Sequence, residues 1–136
     1  MKQSLLLTLL LAALLSACAA SPAGSSEPQG SWVLASLDGS TEVGAAVGGK
    51  DITLEFIGDG RVAGSAGCNQ YNASYTLNGS SISFLQPAST LMACFPEIVM
   101  QNEAAFLQAL TAATEFELVG DTLTITAGGH TLVFTR

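Results

Sequence analysis

The chain has 136 residues, of which only 11% are charged, and eleven acidic against four basic residues give it a formal net charge of −7. This length suits one domain and is short for two. Nucleic-acid binding requires clustered Lys and Arg to displace counterions, so the acidic balance argues against nucleic acid as a partner. It also disfavours direct contact between a folded domain and an anionic bilayer, so membrane attachment would require a separate anchor.

The first residues have the features of an export signal. Lys2 is followed by an apolar run over 4–15, which is shorter than the roughly twenty residues of a membrane-spanning helix. The sequence Leu-Ser-Ala-Cys at 15–18 resembles the lipobox of bacterial lipoproteins, which implies cleavage before Cys18 and acylation of that residue. We therefore predict a lipoprotein signal peptide over 1–17. A plain secretory signal with an unmodified Cys18 is the alternative.

Residues 18–30 follow the predicted cleavage point and contain Pro, Gly and Ser but no large apolar side chain. This composition predicts a flexible tether with a mean reach of roughly 20 Å, which would hold the folded domain, over 31–136, close to the membrane. Ala19 rather than Asp follows Cys18, and the sorting rule for enteric-type lipoproteins then implies the outer membrane. The predicted location is the bacterial cell envelope, lipid-anchored and facing the periplasm.

Strand candidates in the first half of the domain alternate apolar and polar residues between turn residues. Ile52, Leu54 and Phe56 share one face of a run over 52–56, which is typical of a strand with one solvated face. Asn78-Gly79 is a strong hairpin signal. The predicted strands of this half cover 31–37, 52–56, 61–64, 74–77 and 81–85.

The hydrophobic period changes after Pro96. Apolar residues recur at helical spacing from Val99 to Ala113, with Gln101, Glu103 and Gln108 elsewhere, and this pattern predicts one helix over 96–113. Three further strands follow over 115–119, 122–126 and 130–136. We predict a mainly β fold with one helix between strands 5 and 6, in which an eight-stranded antiparallel meander curls into a small barrel-like sheet. A flat two-layer α+β sheet is the alternative.

Two segments carry the most distinctive pattern of the chain. The first, over 64–75, is a Gly-rich approach to Cys68-Asn69, and the second has Thr-x-Met-x-Cys spacing over 90–94. With Glu103-Phe106-Leu110 and the terminal hairpin at Gly120-Asp121, they resemble the META domain, the family of the bacterial heat-shock protein HslJ. The motif residues outside the cysteines, for which we expect structural roles, are Gly67, Asn69, Tyr71, Tyr75, Thr90 and Met92.

The resemblance runs from about Trp32 to the end of the chain. It implies a small, largely β barrel-like domain with a helix. It also implies kinship with lipid-anchored envelope proteins associated with stress or drug tolerance. The family has no established catalytic residues, so none is transferred to this chain.

Cys68 and Cys94 are the only cysteines of the predicted folded domain. In an exported domain such a pair most simply forms one disulfide, with two buried free thiols as the alternative. Redox exchange is disfavoured, because redox cysteines usually lie close in sequence beside groups that favour the thiolate. A metal site would need His130 beside both cysteines and a further ligand, and we predict neither a metal nor another cofactor.

The polar and aromatic residues of the first motif have two interpretations. Asn69, Asn72, Tyr71 and Tyr75 would suit a carbohydrate or other ligand site, but backbone hydrogen bonding by Asn and core packing by Tyr are favoured. Met92 is interpreted as gap-filling core.

The sequence predicts no enzyme, since it has one His and no paired acids. We predict a non-enzymatic envelope lipoprotein that supports stress or drug tolerance through contacts with an unidentified envelope protein. A lipocalin-like module for a small apolar ligand is the alternative, although a barrel of eight short strands is usually filled by its own side chains.

Overall fold

A computed structural model describes residues 26–136, so the predicted signal peptide, Cys18 and most of the predicted tether lie outside the described residues. The described part has nine strands, one α-helix and a short 3-10 helix over Gly44–Val47. The strands and the helix are, in chain order, β1 (Gly30–Leu37), β2 (Thr53–Gly58), β3 (Arg61–Ser65), β4 (Gln70–Asn78), β5 (Ser81–Phe84), β6 (Ala88–Ser89), α1 (Glu97–Thr111), β7 (Ala113–Val119), β8 (Thr122–Ala127) and β9 (His130–Thr135). No helix of this part is long and apolar enough to span a membrane.

Eight of the strands close into an antiparallel barrel. Hydrogen-bonded neighbours follow the order β3-β2-β1-β9-β8-β7-β5-β4, and β4 pairs back onto β3 from Arg61 opposite Ser74 to Ser65 opposite Gln70. The two-residue β6 pairs with β4 beside this ring. The prediction of a mainly β, barrel-like antiparallel sheet with one helix is confirmed.

Most boundaries differ from the sequence prediction by one or two residues; for example, α1 ends at Thr111 and β7 begins at Ala113, which the prediction placed in the helix. Two differences are larger. The strand predicted over 74–77 begins at Gln70, so most of the first motif is strand rather than loop, and Asn72 lies on β4. Asn is depleted in strands and both Asn and Ser are common in turns, which concealed the alternation of buried Tyr71 and Ala73 with their exposed neighbours. The predicted connection over 86–89 contains β6, so α1 lies between β6 and β7, although it still follows the fifth strand of the barrel.

The interior of the barrel is filled by its own side chains. Phe106 of α1 is fully buried, and its ring lies 5.5 Å from Tyr71 on β4 and 6.4 Å from Phe134 on β9. These two strands lie on opposite sides of the eight-stranded ring, so the Phe106 ring occupies its centre. Around it, the fully buried inward residues of the strands include Trp32, Leu54, Val62, Leu123, Ile125 and Leu132.

The antiparallel order places the connections alternately at two ends of the barrel. One end, which we call the N-terminal end, holds the start of β1. It also holds the β2–β3, β4–β5 and β7–β8 turns and the C-terminus. The other end, which we call the helix end, holds the connection that contains β6 and α1. It also holds the β1–β2 connection and the β3–β4 and β8–β9 turns. Both cysteine-containing segments therefore belong to the helix end.

The last residues of the predicted tether contact the N-terminal end of the barrel. Pro28 is buried, and the carbonyl of Gln29 accepts hydrogen bonds from Nε1 of Trp32 (3.1 Å) and from Nη1 of Arg136 (3.5 Å). The guanidinium of Arg136 also lies 4.5 Å from the centroid of the Trp32 ring. Packing of the domain thus begins a few residues before Ser31.

Candidate functional site

The β3–β4 turn presents the first motif at the helix end. Gly67 has φ +106°, in the left-handed region that a residue with a Cβ rarely adopts. Its carbonyl accepts a hydrogen bond from the N–H of Lys50 (2.7 Å), and the N–H of Ala66 donates to the carbonyl of Asn69 (2.8 Å). Earlier in the motif, a Cβ at Gly64 would clash with the carbonyl of Thr53, so β2 and β3 approach closely there.

A buried carboxylate on α1 holds this turn. Glu103 is only 6% exposed, and its Oε2 accepts hydrogen bonds from the backbone N–H groups of Cys68 (3.1 Å) and Asn69 (2.7 Å). Its Oε1 accepts a third bond, from Nδ2 of Asn69 at 2.6 Å. Bonds to an ionised acceptor are stronger than neutral ones, and here they link the helix to the turn.

The side chain of Asn69 connects this carboxylate to the second motif. Its Nδ2 also donates to the carbonyl of Met92 (3.1 Å), and its Oδ1 accepts from Oγ1 of Thr90 (2.8 Å) and from the N–H of Met92 (2.7 Å). The amide therefore uses two donor and two acceptor positions, which is its full capacity. Since Asn69 is 2% exposed, its amide serves the fold rather than an incoming ligand.

A disulfide joins the same two segments. Cys68 and Cys94 are bonded, with their Cα atoms 5.9 Å apart and a separation of 26 in sequence. The sulfurs are therefore not thiolates, and a thiolate is what a metal or a nucleophilic mechanism requires. Nδ1 of His130 instead lies 2.7 Å from Oδ2 of Asp38, and the described residues contain no group of three or more candidate metal ligands.

Tyr71 and Tyr75 lie on β4 and pack against the core. Tyr71 is 3% exposed and its hydroxyl donates to the carbonyl of Thr53 (2.7 Å), while burial raises the pKa of the Tyr71 phenol. The ring of Tyr75 meets that of Phe56 edge-on at 5.1 Å. Burial raises the pKa of the Tyr75 phenol, and the nearby charge of Glu27 raises it further. Both rings are accounted for by packing.

From the sequence, Glu103 is placed with Gln101 and Gln108 on the polar side of the predicted helix. That placement is wrong, because Glu103 lies on the same buried stripe as Val99, Phe106 and Leu110. The four residues follow the spacing i, i+4, i+7 and i+11, so periodicity alone would have placed the carboxylate inside. A charged residue at a core position is the signal that identifies it.

Residues 91–98, which begin in the second motif, expose several apolar side chains. Leu91 is 96% exposed and Phe95 87%, followed by Met92 at 52% and Ile98 at 40%, and we call these four residues the helix-end patch. The interpretation of Met92 as gap-filling core is therefore wrong, since only its backbone enters the buried network. A groove of about 300 Å³ adjoins the patch and is lined by Gly48, Gly49, Lys50, Gly67, Cys68, Met92, Cys94 and Phe95.

An exposed hydrogen bond between Asp38 and His130 at the helix end supports a prediction about pH. The hydrogen bond from His130, with a second from the N–H of Thr131 at 2.8 Å, holds the pKa of Asp38 below its ordinary value. A carboxyl whose pKa is lower in the folded state stabilises the fold above its unfolded-state pKa, and this contribution is lost as the pH falls through the folded-state value. Urea unfolding should therefore show a smaller loss of stability below about pH 4 for Asp38→Asn than for wild type.

Asn accepts the positive φ of Asp38, and Glu117→Gln on the exposed face of β7 is the control. Identical pH profiles for Asp38→Asn and wild type would contradict the assignment.

These features define a class of protein: a closed, side-chain-filled antiparallel barrel with a helix at one end, fastened by a disulfide and a buried Asn–Glu network. The model of the META domain matches residues 25–136, and the chain belongs to this family, which is that of HslJ.

Among solved structures, the chain is similar to a protein from Burkholderia xenovorans determined by NMR, with 32% identity and a TM-score of 0.64 over 79% of this chain and 81% of that one. A second NMR structure is 20% identical, with a TM-score of 0.63 over 79% and 88% of the two chains. The crystal structure of a DUF4847 family protein from Bacteroides vulgatus is 14% identical, with a TM-score of 0.52 over 79% and 92%. The last two are similar in fold alone. No curated protein matches the chain.

Proposed function

We propose that the chain is a lipid-anchored protein of the bacterial cell envelope, acylated at Cys18, that carries out no catalysis and supports tolerance to stress or drugs by binding another envelope protein. The Cys68–Cys94 disulfide carries this proposal, because such bonds form and persist in oxidising compartments outside the cytoplasm. The lipobox-like sequence over 15–18 supplies the anchor, with Ala19 favouring the outer membrane, facing the periplasm.

The state of the motif residues supports a binding role over a catalytic one. The carboxylate of Glu103 and the amide of Asn69 are buried and bonded to each other and to backbone groups. The cysteine sulfurs are joined covalently. Leu91 of the second motif and the adjacent Phe95 are exposed to solvent, and apolar surface of this kind is typical of protein contacts.

A lipocalin-like role for a small apolar ligand gains no support from the barrel interior. Phe106 occupies the centre of the ring, and fully buried side chains such as Trp32 and Phe134 fill the space around it. A barrel of eight strands has room for its own side chains or for one small ligand, and here the side chains take the room.

Variants of Cys18 test the anchor. In cells, wild-type protein is expected in the membrane fraction, with acylated Cys18 as the first residue in an intact mass. Cys18→Ala is expected in the soluble fraction or as unprocessed precursor. A processed Cys18→Ala protein that lacks residues 1–17 and still remains detergent-dependent, or a wild-type mass without acyl chains, would contradict the anchor.

A deletion strain tests the role in tolerance. Loss of the gene is expected to lower survival under at least one of heat, oxidant or antibiotic challenge, and the wild-type chain, but not Cys18→Ala, should restore it. Crosslinking in intact cells should capture an envelope protein. Unchanged survival under all three challenges, together with no crosslinked protein, would contradict this part of the proposal.

A further inference from the structure

We propose that the helix-end patch is a docking site for a polypeptide segment that carries adjacent large apolar side chains flanked by Lys or Arg. This inference rests on the function proposed above and names the surface and the chemistry of the protein partner. Four partly or fully exposed apolar side chains within residues 91–98 are more than the scattered apolar residues of an ordinary surface.

The backbone that carries the patch is held on several sides. The Asn69 amide bonds both the N–H and the carbonyl of Met92, the disulfide fixes Cys94, and Ile98 lies in the first turn of α1. A binding surface with a fixed backbone loses little conformational freedom on association. The backbone positions from which the exposed side chains project are therefore set before a partner binds.

The adjoining groove adds a place for one side chain of the partner. Phe95 and Met92 of the patch line it, together with the Gly48-Gly49-Lys50 segment of the β1–β2 connection. An apolar side chain there would contact Phe95 and Met92 while its neighbours contact Leu91. This arrangement resembles the central apolar anchor that dominates the energy of many protein interfaces.

The charge of the domain indicates what should flank those apolar side chains. Residues 26–136 contain all eleven acidic residues and three of the four basic ones, giving a formal net charge of −8. The exposed acids Glu42 and Asp51 flank the segment that lines the groove, and Glu97 lies within the residues that carry the patch. Nearby, only Lys50 is basic, whereas Arg61 and Arg136 lie at the N-terminal end. Basic residues on the partner would be attracted to this border.

Position and charge disfavour two other occupants of the patch, a second copy of the chain and the membrane surface. A second copy would bring another net charge of −8 against the first, which opposes association. The described chain enters the barrel at the N-terminal end, so in a chain anchored at Cys18 the helix end lies at the end of the barrel opposite the attachment. An acidic surface is also repelled by anionic lipid.

Peptide binding to the full lipoprotein in phosphatidylcholine nanodiscs tests the inference. The probe is a fluorescent peptide with Leu and Phe side chains flanked by Lys, and its two matched peptides replace Lys by Glu or the apolar residues by Ser. Fluorescence anisotropy should show saturable binding of the Lys-flanked apolar peptide, weakened by salt, and at least about tenfold weaker binding of each matched peptide.

Substitutions in the chain locate the binding. Leu91→Ser and the double variant Leu91→Ser with Phe95→Ser should weaken binding by about tenfold or more, with unchanged thermal melting in the single variant because Leu91 is 96% exposed. Val119→Ser, 64% exposed at the end of β7, is the matched control at the N-terminal end and should bind as wild type does. Equal binding by all variants, equal binding of the Glu-flanked peptide, or no saturable binding would overturn the inference.

Two further measurements separate the possible failures. If nanodiscs that each carry one copy dimerise in sedimentation and Leu91→Ser abolishes this dimer, the occupant is a second copy and the inference is overturned. In the deletion strain, Leu91→Ser with Phe95→Ser should stay membrane-bound and fail to restore tolerance. Full restoration by this variant would overturn the docking site while leaving the lipoprotein function intact, whereas failure of the Cys18 and deletion tests would remove the function itself.

Discussion

Replacing Glu103 by Leu is expected to lower the free energy of unfolding by about 3–5 kcal/mol. The change leaves the N–H groups of Cys68 and Asn69 and one N–H of the Asn69 amide without their acceptor in a buried position. Each buried donor without a partner costs roughly 1–3 kcal/mol, and the lower cost of burying an apolar side chain offsets part of the sum. Urea unfolding followed by circular dichroism measures the difference.

Two companion variants make this expectation specific to the network. Glu103→Gln places an amide N–H₂ against Nδ2 of Asn69 or against the two backbone donors, and should cost about 1–3 kcal/mol. Gln108→Leu, exposed on the same helix, is the control and should change stability by less than about 0.5 kcal/mol. In a double-mutant cycle, Glu103→Leu and Asn69→Ala should cost clearly less together than the sum of the two alone. Additive costs would show that the two side chains do not act as one unit.

The barrel could be predicted from the sequence because its strands alternate and its turns carry strong signals. Ile52, Leu54 and Phe56 illustrate the first, and Asn78-Gly79 between β4 and β5 illustrates the second. Strand β6 could not be predicted in this way, since two residues are too few to show a period. The start of β4 was missed because Asn72 and Ser74 read as loop residues, although their outward positions between buried neighbours are compatible with a strand.

The candidate site was only partly predictable, because its parts come together through the fold. The motif residues Asn69, Thr90 and Met92 could be singled out, but their hydrogen bonds span more than twenty positions of the chain. No local rule predicts such a contact. The exposure of Leu91 and Phe95 could not be predicted from the sequence either. Large apolar residues are usually buried, and only the path of the backbone shows that these two side chains point to solvent.

The helix end is thus fastened twice, by covalent and by polar links between the same segments. The disulfide joins Cys68 to Cys94, and the Asn69 amide joins the adjacent turn residue to Met92. Both links hold residues 90–94, the segment that carries Leu91.

Removing the disulfide with Cys68→Ala and Cys94→Ala is expected to lower the free energy of unfolding by about 3.5 kcal/mol, because a loop spanning 26 positions is no longer closed in the unfolded chain. For about 110 ordered residues this corresponds to a Tm lower by roughly 15 °C. Reduced wild-type protein should have the same Tm as the Cys68→Ala, Cys94→Ala variant. Cys18→Ala should have the same Tm as oxidised wild-type protein. A difference below about 1 kcal/mol would contradict the expectation. Adding Glu103→Leu should bring the total loss to about 7 kcal/mol, close to the whole stability of many small domains, so the triple variant should be largely unfolded at 37 °C.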